Sequence, residues 1–394
     1  MARLTLKKEE CIMDFMFTEE QKKLRRRVRK FAEEKLAPLA PVVDESEDIS
    51  LDLVKLLADE GLLRLTVPKE YGGDGMVSCV NISIVREELN RICSAAASIF
   101  TMQGLGTYPI TLFGTEEQKR KYLPPIGNGE KLAAFAVSEP DAGSDVARMK
   151  TTAVRDGDYY VLNGSKRWIS QGPAAEIFTV FAKTDTAKGG RGISAFIVEK
   201  GTPGFDPSKR MKLMAAHCIC EPRFENCRIP KENLLGEEGR GMRISMENLD
   251  MFRTTVGATA VGFAQRAYEE ALSYSQKRVV FDQPLSEFQA TQFKLADMAT
   301  EIQAARLMVY WAAILKDRGE SWRTVMTSAS MAKLFATEVC HRVVDESLQI
   351  HGGAGLMKGM PIERLYRMVR SLRIYEGTSE IQRITIARGI LRGE

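Results

Sequence analysis

The sequence feature that most constrains the fold is the spacing of apolar residues, which changes twice along the chain. Up to about residue 130 they recur at helical spacing, with Leu24, Val28 and Phe31 on one face of a predicted helix. Short apolar runs typical of strands follow, such as 178–181 and 193–198, and helical spacing returns after about residue 240. These changes predict an α+β fold with three domains: an N-terminal all-α domain at 1–130, a middle antiparallel β-sandwich or barrel at 131–240, and a C-terminal four-helix-bundle domain at 241–394.

Three local patterns give sharper expectations. Asn163-Gly164 separates two strand-like runs and is the strongest hairpin signal in the chain, so we expect a hairpin turn there. Residues 78–104 are mostly apolar and predict one long, largely buried helix. Ser379 is followed three residues later by Gln382, a capping-box pattern that predicts the start of the last helix.

Composition and charge argue against several classes of protein. The net charge of +4 is spread along the chain, which argues against a nucleic-acid partner. No apolar run reaches the roughly 18 residues that span a bilayer, so we expect no membrane insertion. Residues 1–11 are short, basic and lack an apolar core, unlike a secretory signal, and Met13 is a candidate for the native start.

The seven cysteines show no framework spacing, which is typical of reduced thiols. We therefore predict a cytoplasmic protein, with a bacterial cytosol as first choice and a mitochondrial matrix as the alternative. His217, Cys218, Cys220 and Cys227 lie close in sequence, but Cys-x-Cys is not a zinc-finger spacing and no second pair completes it. We interpret them as strand residues and predict no metal site.

Glu376 is the candidate catalytic residue. It lies on a predicted turn just ahead of the last helix, and Gly377 beside it allows the backbone to turn or to approach a ligand closely. A carboxylate held in this way is suited to removing a proton from carbon. The alternative is a solvated charge near the favourable dipole of a helix N-terminus.

Two segments of the β domain are candidates for binding a planar ring. Residues 138–144 combine small residues with hydroxyl groups, and Trp168 is followed by Ile169 and Ser170. Backbone amides, Ser138 and Ser170 are suited to satisfying the nitrogens and carbonyls of a ring. The alternative is a polar turn beside a core tryptophan.

Helix ends in the C-terminal domain supply further candidates. Arg278 and Phe281 are suited to a pyrophosphate and a ring, or they are an exposed arginine and a core phenylalanine. The segment 349–353 either approaches a ligand through Gly352 and Gly353 or simply ends a helix. Asp250 and Arg253 share a helix face, as an ion pair or as a ligand contact. No glycine-rich dinucleotide fingerprint is present.

In this order, these motifs closely resemble the acyl-CoA dehydrogenase family of flavoproteins, from about residue 14 to the end. The resemblance implies FAD as cofactor and Glu376 as catalytic base. It implies that FAD is bound by Phe135, Val137, Ser138, Gly143, Ser144, Trp168, Ile169, Ser170, Arg278, Phe281, Gln289, Gln349, Gly352, Gly353, Thr378 and Glu380. It implies that acyl-CoA is contacted by Ser144, Asp250, Phe252, Arg253 and Gly377.

The resemblance also implies the reaction. Glu376 takes the α-proton of an acyl-CoA thioester while the β-hydrogen leaves as hydride to flavin N5, giving a trans-2-enoyl-CoA. The Glu376 N–H and a flavin ribityl hydroxyl stabilise the thioester oxygen. Electrons pass to an electron-transfer flavoprotein, and the protein is a homotetramer. Some relatives carry the base on an earlier helix, but the matching position here is Phe252.

Several positions depart from the family pattern and leave the acyl group open. Asp282, Met368, Phe252 and the segment 212–217 replace residues that are more usual in the family. Straight, branched, cyclic, aryl and dicarboxyl thioesters remain alternatives, with Ile99, Met102 and Gln103 expected to line the end of the pocket. An enoyl-CoA reductase, an acyl-CoA oxidase and a non-catalytic scaffold are the other functions considered. The chain length argues against the oxidase, and Glu376 and Arg278 argue against the scaffold.

Overall fold

The structure is a computed structural model that describes residues 16–391. Helices occupy both ends of the described chain and a β-sheet occupies the middle, so the predicted α+β fold class is confirmed. The domain boundaries stay predictions, because secondary structure alone does not show which part folds independently. The proposed start at Met13 lies outside the described residues.

The N-terminal helices pack into one apolar core with the β region. They are α1 (Glu19–Phe31), α2 (Ala40–Val43), α3 (Leu51–Asp59), α4 (Cys79–Asn90), α5 (Ser94–Phe113) and α6 (Glu116–Gly127). The single helix predicted at 78–104 was wrong, because Cys93 adopts an extended conformation between α4 and α5. Asp44 stabilises the break by accepting a hydrogen bond from the N–H of Ala95 (2.9 Å), and a cap from so far along the chain leaves no local pattern.

The middle region is built around an eight-stranded sheet. Its strands are β1 (Ala133–Ala136), β2 (Thr152–Asp156), β3 (Tyr159–Ser165), β5 (Ile177–Lys183), β6 (Ile193–Glu199), β7 (Phe205–Asp206), β9 (Arg223–Pro230) and β10 (Leu234–Leu235). The order is β10-β6-β5-β2-β3-β9-β7, and β1 runs parallel to β5 in a sheet that is otherwise mainly antiparallel. A separate pair, β4 (Ile169–Ser170) and β8 (Ile219–Cys220), carries part of the candidate ring site.

The hairpin predicted at Asn163-Gly164 was wrong. The chain turns earlier, at Gly157-Asp158, and β3 continues through Gly164 with a shift of register against β9. Gly164 has φ 141°, and a Cβ there would lie 2.7 Å from the Cα of Thr151. The glycine therefore permits close approach within a β-bulge, a use of glycine that a turn signal does not distinguish.

Long helices form the C-terminal part around a second apolar core. They are α7 (Gly241–Lys277), α8 (Gln289–Asp317), α9 (Trp322–His351), α10 (Pro361–Val369) and α11 (Ser379–Leu391), with a short ribbon of β11 (Val279–Val280) and β12 (Gln283–Pro284) between α7 and α8. The start of α11 was predicted correctly, but its cap was not. Thr378 Oγ1 accepts from the N–H of Ile381 (3.4 Å), whereas the Ser379 hydroxyl donates to Glu338 (2.7 Å).

The helices and the cysteines of the described residues relate to the predictions about membrane insertion and reduced thiols. Within residues 16–391, no helix combines the length and hydropathy needed to cross a membrane. The six cysteines in the described part of the chain are buried free thiols. The cytoplasmic location stays a prediction.

Candidate active site

Glu376 lies on an unusual turn immediately before α11. Its φ is 53° and that of Gly377 is 96°, so two successive residues are in the left-handed region. This conformation is ordinary for glycine but costs on the order of 1 kcal/mol or more for a residue with a side chain. The turn therefore has to be held by its surroundings.

Two buried cations hold the turn through its backbone. Lys333 of α9 donates from Nζ to the carbonyl oxygens of Tyr375 (2.8 Å) and Gly377. Arg253 of α7 donates from Nε to the carbonyl oxygen of Glu376 (3.1 Å). The carbonyl groups of three successive residues thus bind to side chains of two different helices, which fixes the direction of the Glu376 side chain.

The carboxylate of Glu376 has unused hydrogen-bonding capacity. Its Oε2 atom is buried and has no hydrogen-bond partner among the described residues. Burial raises the pKa of Glu376, while the charges of Arg86, Lys333 and Arg253 oppose that rise. A buried acceptor without a partner is rare in folded proteins and is typical of a group reserved for a ligand or a proton.

Arg86 and the Asp250–Arg253 pair complete the charged surroundings. Arg86 is buried in α4 and donates to the hydroxyl groups of Thr255 and Thr259. Arg253 Nη1 lies 3.5 Å from Asp250 Oδ1, yet neither atom has a hydrogen-bond partner in the described chain. Burial raises the pKa of Asp250 to about 6. The pair is therefore an intrahelical ion pair with unused hydrogen-bonding capacity, and its contact to a ligand stays a prediction.

Trp168 is not a core tryptophan. It is 46% exposed and has φ 58°, and Gly143 lies beside its ring, since a Cβ at Gly143 would be 3.9 Å from the indole. Gly143 and Ser144 are exposed, and the carbonyl of Ser138 accepts from the N–H of Arg167 (2.8 Å), which ties the 138–144 turn to the residue before Trp168. The two segments singled out from the sequence therefore meet. The indole stays partly exposed, with Arg167 Cζ 5.3 Å from its ring centroid.

A buried ion pair joins the 138–144 turn to the segment just before Trp168. Lys166 is fully buried, and its Nζ donates to Glu139 Oε1 (2.8 Å) and to the carbonyl of Val137 (3.3 Å). Glu139 also accepts from the N–H groups of Lys150 (2.6 Å) and Thr151 (3.1 Å). Sequence reasoning missed both partners, because neither residue stands out from an ordinary polar turn or strand.

His217 has a role that its sequence surroundings did not predict. Its Nε2 lies 2.8 Å from Ser170 Oγ, so the imidazole orients a hydroxyl at the candidate ring site. Burial lowers the pKa of His217 to about 4, and the ring is therefore neutral near pH 7. Within the described residues, no group of three or more His, Cys, Asp or Glu side chains is arranged to hold a metal.

A second group of candidates lies where α7 and α9 end. Phe281 is 91% exposed and is not the core residue of the alternative interpretation. Tyr274 and His351 stack with ring centroids 4.4 Å apart, which brings the C-terminal ends of the two helices together. A Cβ at Gly352 or Gly353 would meet nothing within 4 Å. The surface around them is open, and it is formed by the exposed residues Arg278, Phe281, Gln289, Gln349, Gly352 and Gly353.

Helix α5 connects the two sides of the site. Gln103 accepts from the N–H of Ala133 (2.8 Å) and from Gln171 Nε2 (3.2 Å), and it donates to backbone carbonyls, so it joins α5 to the β region. On the other side, a Cβ at Gly104 would lie 2.8 Å from the ring of Phe252, which is fully buried. Gln103 therefore uses its amide for structure, and Phe252 fills the space next to Arg253.

The remaining predicted residues take simple positions. Phe135 is buried against Phe181 (ring centroids 5.1 Å apart), and Ile169 is buried in β4. Thr378 caps α11 and Glu380 is exposed in its first turn. Ile99 lines a small cavity of about 40 Å³ together with Asp44, Ser98 and His217.

The residues fit a flavin. A half-exposed indole beside glycine, a hydroxyl oriented by a neutral imidazole, and a turn of exposed backbone are suited to a planar ring with polar edges. A buried carboxylate oxygen without a partner, on a turn of fixed geometry, is suited to accepting a proton from a ligand beside that ring. The fit to a flavin rests on which hydrogen-bond donors and acceptors the site residues offer. The contact of each residue with FAD stays a prediction.

Known proteins of one family are similar to this chain over nearly its whole length. Three family models match in order: the acyl-CoA dehydrogenase N-terminal domain at residues 18–130, the middle domain at 134–227 and the C-terminal domain at 239–391. An acryloyl-CoA reductase (NADH) of Anaerotignum propionicum is 43% identical over 397 residues, covering 100% of both chains.

Two solved structures are similar over nearly the full length. The butyryl-CoA dehydrogenase of Megasphaera elsdenii is 40% identical with a TM-score of 0.92, covering 96% of this chain and 100% of that one. A chain from a structure described as an electron transferring flavoprotein of Acidaminococcus fermentans, towards a mechanism of flavin-based electron bifurcation, is 42% identical with a TM-score of 0.92 and the same coverage.

Proposed function

Because this chain belongs to the acyl-CoA dehydrogenase family, and is thus an FAD-dependent oxidoreductase acting on CH–CH bonds, we propose that Glu376 is its catalytic base. The proposed reaction converts an acyl-CoA thioester to a trans-2-enoyl-CoA. Glu376 removes the α-proton, and bound FAD supplies the acceptor for the β-hydrogen.

A single observation carries this proposal. Glu376 Oε2 is buried without a hydrogen-bond partner in the described chain, on a left-handed turn whose carbonyl groups are held by Lys333 and Arg253. A base that acts on carbon needs a free lone pair, a fixed direction and a pKa closer to neutrality than that of a solvated carboxylate. The raised pKa of Glu376 supports the third of these requirements.

The same turn offers a donor to the thioester. Within residues 16–391 the backbone N–H of Glu376 has no hydrogen-bond partner. We propose that it binds the thioester carbonyl oxygen, where negative charge develops as the α-proton leaves. The carboxylate and the N–H of one residue would then act on the α-carbon and on the carbonyl group bonded to it. Arg253 keeps this arrangement in place through the Glu376 carbonyl.

The proposed binding residues fall into three groups around this turn. Trp168, Ile169 and Ser170 receive the flavin ring, and the turn of Ser138, Gly143 and Ser144 lines the region that the ring and the thioester share. The exposed set around Arg278 and Gly352 binds the distal part of FAD. Because that set is open in a single chain, we propose that a neighbouring subunit completes it in a homotetramer.

The test is substitution of the base. We expect Glu376→Gln to bind FAD and acyl-CoA but to bleach the flavin about 10²–10⁴-fold more slowly on mixing with acyl-CoA, because the amide cannot accept the proton. Glu320→Gln, an exposed carboxylate in the loop before α9, is the matched control and should react like the wild type. Bleaching of Glu376→Gln at the wild-type rate would falsify the assignment.

The reductive direction is the second candidate function, and the similarity to an acryloyl-CoA reductase favours it. The same residues serve both directions, since a protonated Glu376 returns its proton to the α-carbon of an enoyl-CoA. Anaerobic assays with acyl-CoA and with enoyl-CoA, each with an electron-transfer flavoprotein as electron partner, distinguish the physiological direction. A panel of straight, branched, cyclic and aryl thioesters, scored by flavin bleaching, identifies the acyl group.

A further inference from the structure

Lys333 is an unusual buried lysine. It lies in the middle of α9 and is 0% exposed, yet among the described residues it has no carboxylate within ion-pair distance. Its Nζ instead donates to the carbonyl oxygens of Tyr375 and Gly377, the residues on either side of Glu376. A buried ammonium group normally has a carboxylate partner, because leaving a charge unpaired in the interior is costly.

We propose that Lys333 is a positioning residue for Glu376, which sets the turn through the two flanking carbonyl groups and places a positive charge beneath the carboxylate. This inference rests on the proposed function of Glu376. It assigns two separable properties to one side chain: hydrogen-bond donation, which fixes direction, and charge, which favours the ionised base.

The geometry supports the first property. Glu376 is held at a φ of 53°, which it would leave if its neighbours were released. Arg253 binds the carbonyl of Glu376 itself, and Gln382 binds that of Gly377 (2.9 Å). Among the described residues, Lys333 is the side chain that bridges the residues on both sides of Glu376. It restrains the peptide group before Glu376 directly, and its bond to the Gly377 carbonyl holds the far side of the turn.

The charges around Glu376 support the second property. The groups that act on Glu376 are Arg86 of α4, Arg253 of α7, Lys333 of α9 and Tyr375 of the turn. The cations in turn face Asp250 of α7, Glu338 of α9 and Glu380 of α11. Burial raises the pKa of Glu376, and Arg86, Lys333 and Arg253 counteract it. Without these cations burial would raise the pKa of Glu376 further and would favour the protonated form, which cannot accept another proton.

Lys333 also sets a limit at high pH. Burial lowers its pKa to about 8, so its charge is lost as the pH rises above that value. The rate should therefore rise with pH as Glu376 ionises and fall again as Lys333 loses its proton. The pH profile of kcat should be bell-shaped, and its two apparent pKa values describe the coupled pair rather than either residue alone.

Three variants of the holoenzyme separate the two properties. Lys333→Gln keeps a donor but not the charge, Lys333→Met keeps neither, and Lys333→Arg keeps both. We expect kcat at pH 7 to fall about tenfold or more in Lys333→Gln and further in Lys333→Met, with KM for acyl-CoA nearly unchanged. The acid limb of the kcat profile should move to higher pH in both, and the alkaline limb near pH 8 should disappear.

Lys333→Arg should retain the position of the acid limb even if kcat falls. Lys166→Gln is the matched control, because it also removes a fully buried lysine but should leave the acid limb of Glu376 where it is. Bound-flavin absorbance confirms that each variant is folded. An acid limb that is the same in Lys333→Met, Lys333→Gln and the wild type would overturn the proposal.

A readout without substrate separates this inference from the proposed function. The difference in unfolding free energy between the wild type and the Glu376→Gln variant follows the ionisation of the Glu376 carboxyl as the pH changes. We expect the inflection of this difference to lie at higher pH in the Lys333→Met background than in the wild-type background. An unmoved inflection rejects the role of Lys333, whereas normal bleaching by Glu376→Gln rejects only the proposed base.

Discussion

Two fully buried lysines, Lys166 beneath the β side of the site and Lys333 beneath the helical side, differ in how their charge is balanced. Burial lowers the pKa of each to about 8. Lys166 lies 2.8 Å from Glu139, whose two oxygens also accept from two backbone N–H groups. Lys333 binds backbone carbonyl groups on either side of Glu376, and the carboxylate of Glu376 has an oxygen without a partner in the described chain.

The difference indicates what each region does. A closed pair with every oxygen satisfied holds the 138–144 turn against the segment between β3 and β4 that carries Trp168, and it has no capacity left for a ligand. The cluster of Arg86, Arg253 and Lys333 around Glu376 is open, since one oxygen of the carboxylate has no hydrogen-bond partner in the described chain. Arg253 also pairs with Asp250. The closed region is built for stability, and the open region keeps an acceptor free, as the proposed reaction requires, at some cost in stability.

Removing one carboxylate from each region is the strongest test of this comparison. Glu139→Gln leaves Lys166 buried without a counter-charge and should lower the free energy of unfolding by about 3–5 kcal/mol. Glu376→Gln should leave it unchanged or raise it by about 1 kcal/mol. Burial raises the folded-state pKa of Glu376, so its stabilising contribution is greatest below the unfolded pKa and is lost as pH rises through the folded pKa.

Urea unfolding of both variants at pH 7 measures the two effects side by side. Equal losses for Glu139→Gln and Glu376→Gln would remove the distinction between a closed and an open region. A gain for Glu376→Gln that disappears below about pH 4, near the pKa of an unfolded glutamate, would confirm the sign of its linkage.

Removing both partners of the closed pair should have a smaller effect. We expect Lys166→Met combined with Glu139→Gln to recover about 1–3 kcal/mol of the loss seen for Glu139→Gln alone, because no charge then remains buried. The glutamine keeps an acceptor for the N–H groups of Lys150 or Thr151. A double variant no more stable than Glu139→Gln would show that the loss comes from those backbone contacts rather than from the unpaired lysine.

The sequence predicted the parts of the site that depend on local pattern. A glycine after Glu376 and a helix start at Ser379 place a carboxylate on a turn, and the structure has that turn. The side chains that hold it could not be predicted in the same way. Arg86 and Lys333 lie on separate helices, 290 and 43 residues before Glu376, and their polar contacts become visible only when the helices pack.

The errors on the β side have a related cause. Asn163-Gly164 has the composition of a hairpin, but the approach of Thr151 uses the glycine for a bulge instead. The break between α4 and α5 depends on Asp44, which lies about fifty residues earlier. His217 was considered as a metal ligand because of neighbouring cysteines, whereas its contact is with Ser170 on a paired strand.

Substitution of His217 should have the smallest effect, and it tests whether the β side of the site changes its protonation within the pH range of the kinetic assays. Burial lowers its pKa to about 4, below the value near 6.5 of an unfolded histidine, so the unfolded state binds more protons between those values. Stability should therefore fall as the pH drops through this window, by about 1.5 kcal/mol between about pH 6.5 and pH 5. His217→Gln should remove most of that fall while keeping a partner for the Ser170 hydroxyl.

Above about pH 6.5 the imidazole stays neutral, so the acid limb of kcat should be the same in the wild type and in His217→Gln, and the pH response should come from the open cluster alone. A shift of the acid limb of kcat in His217→Gln would mean that protonation on the β side is coupled to that of the open cluster. The distinction between a closed and an open region would then not hold.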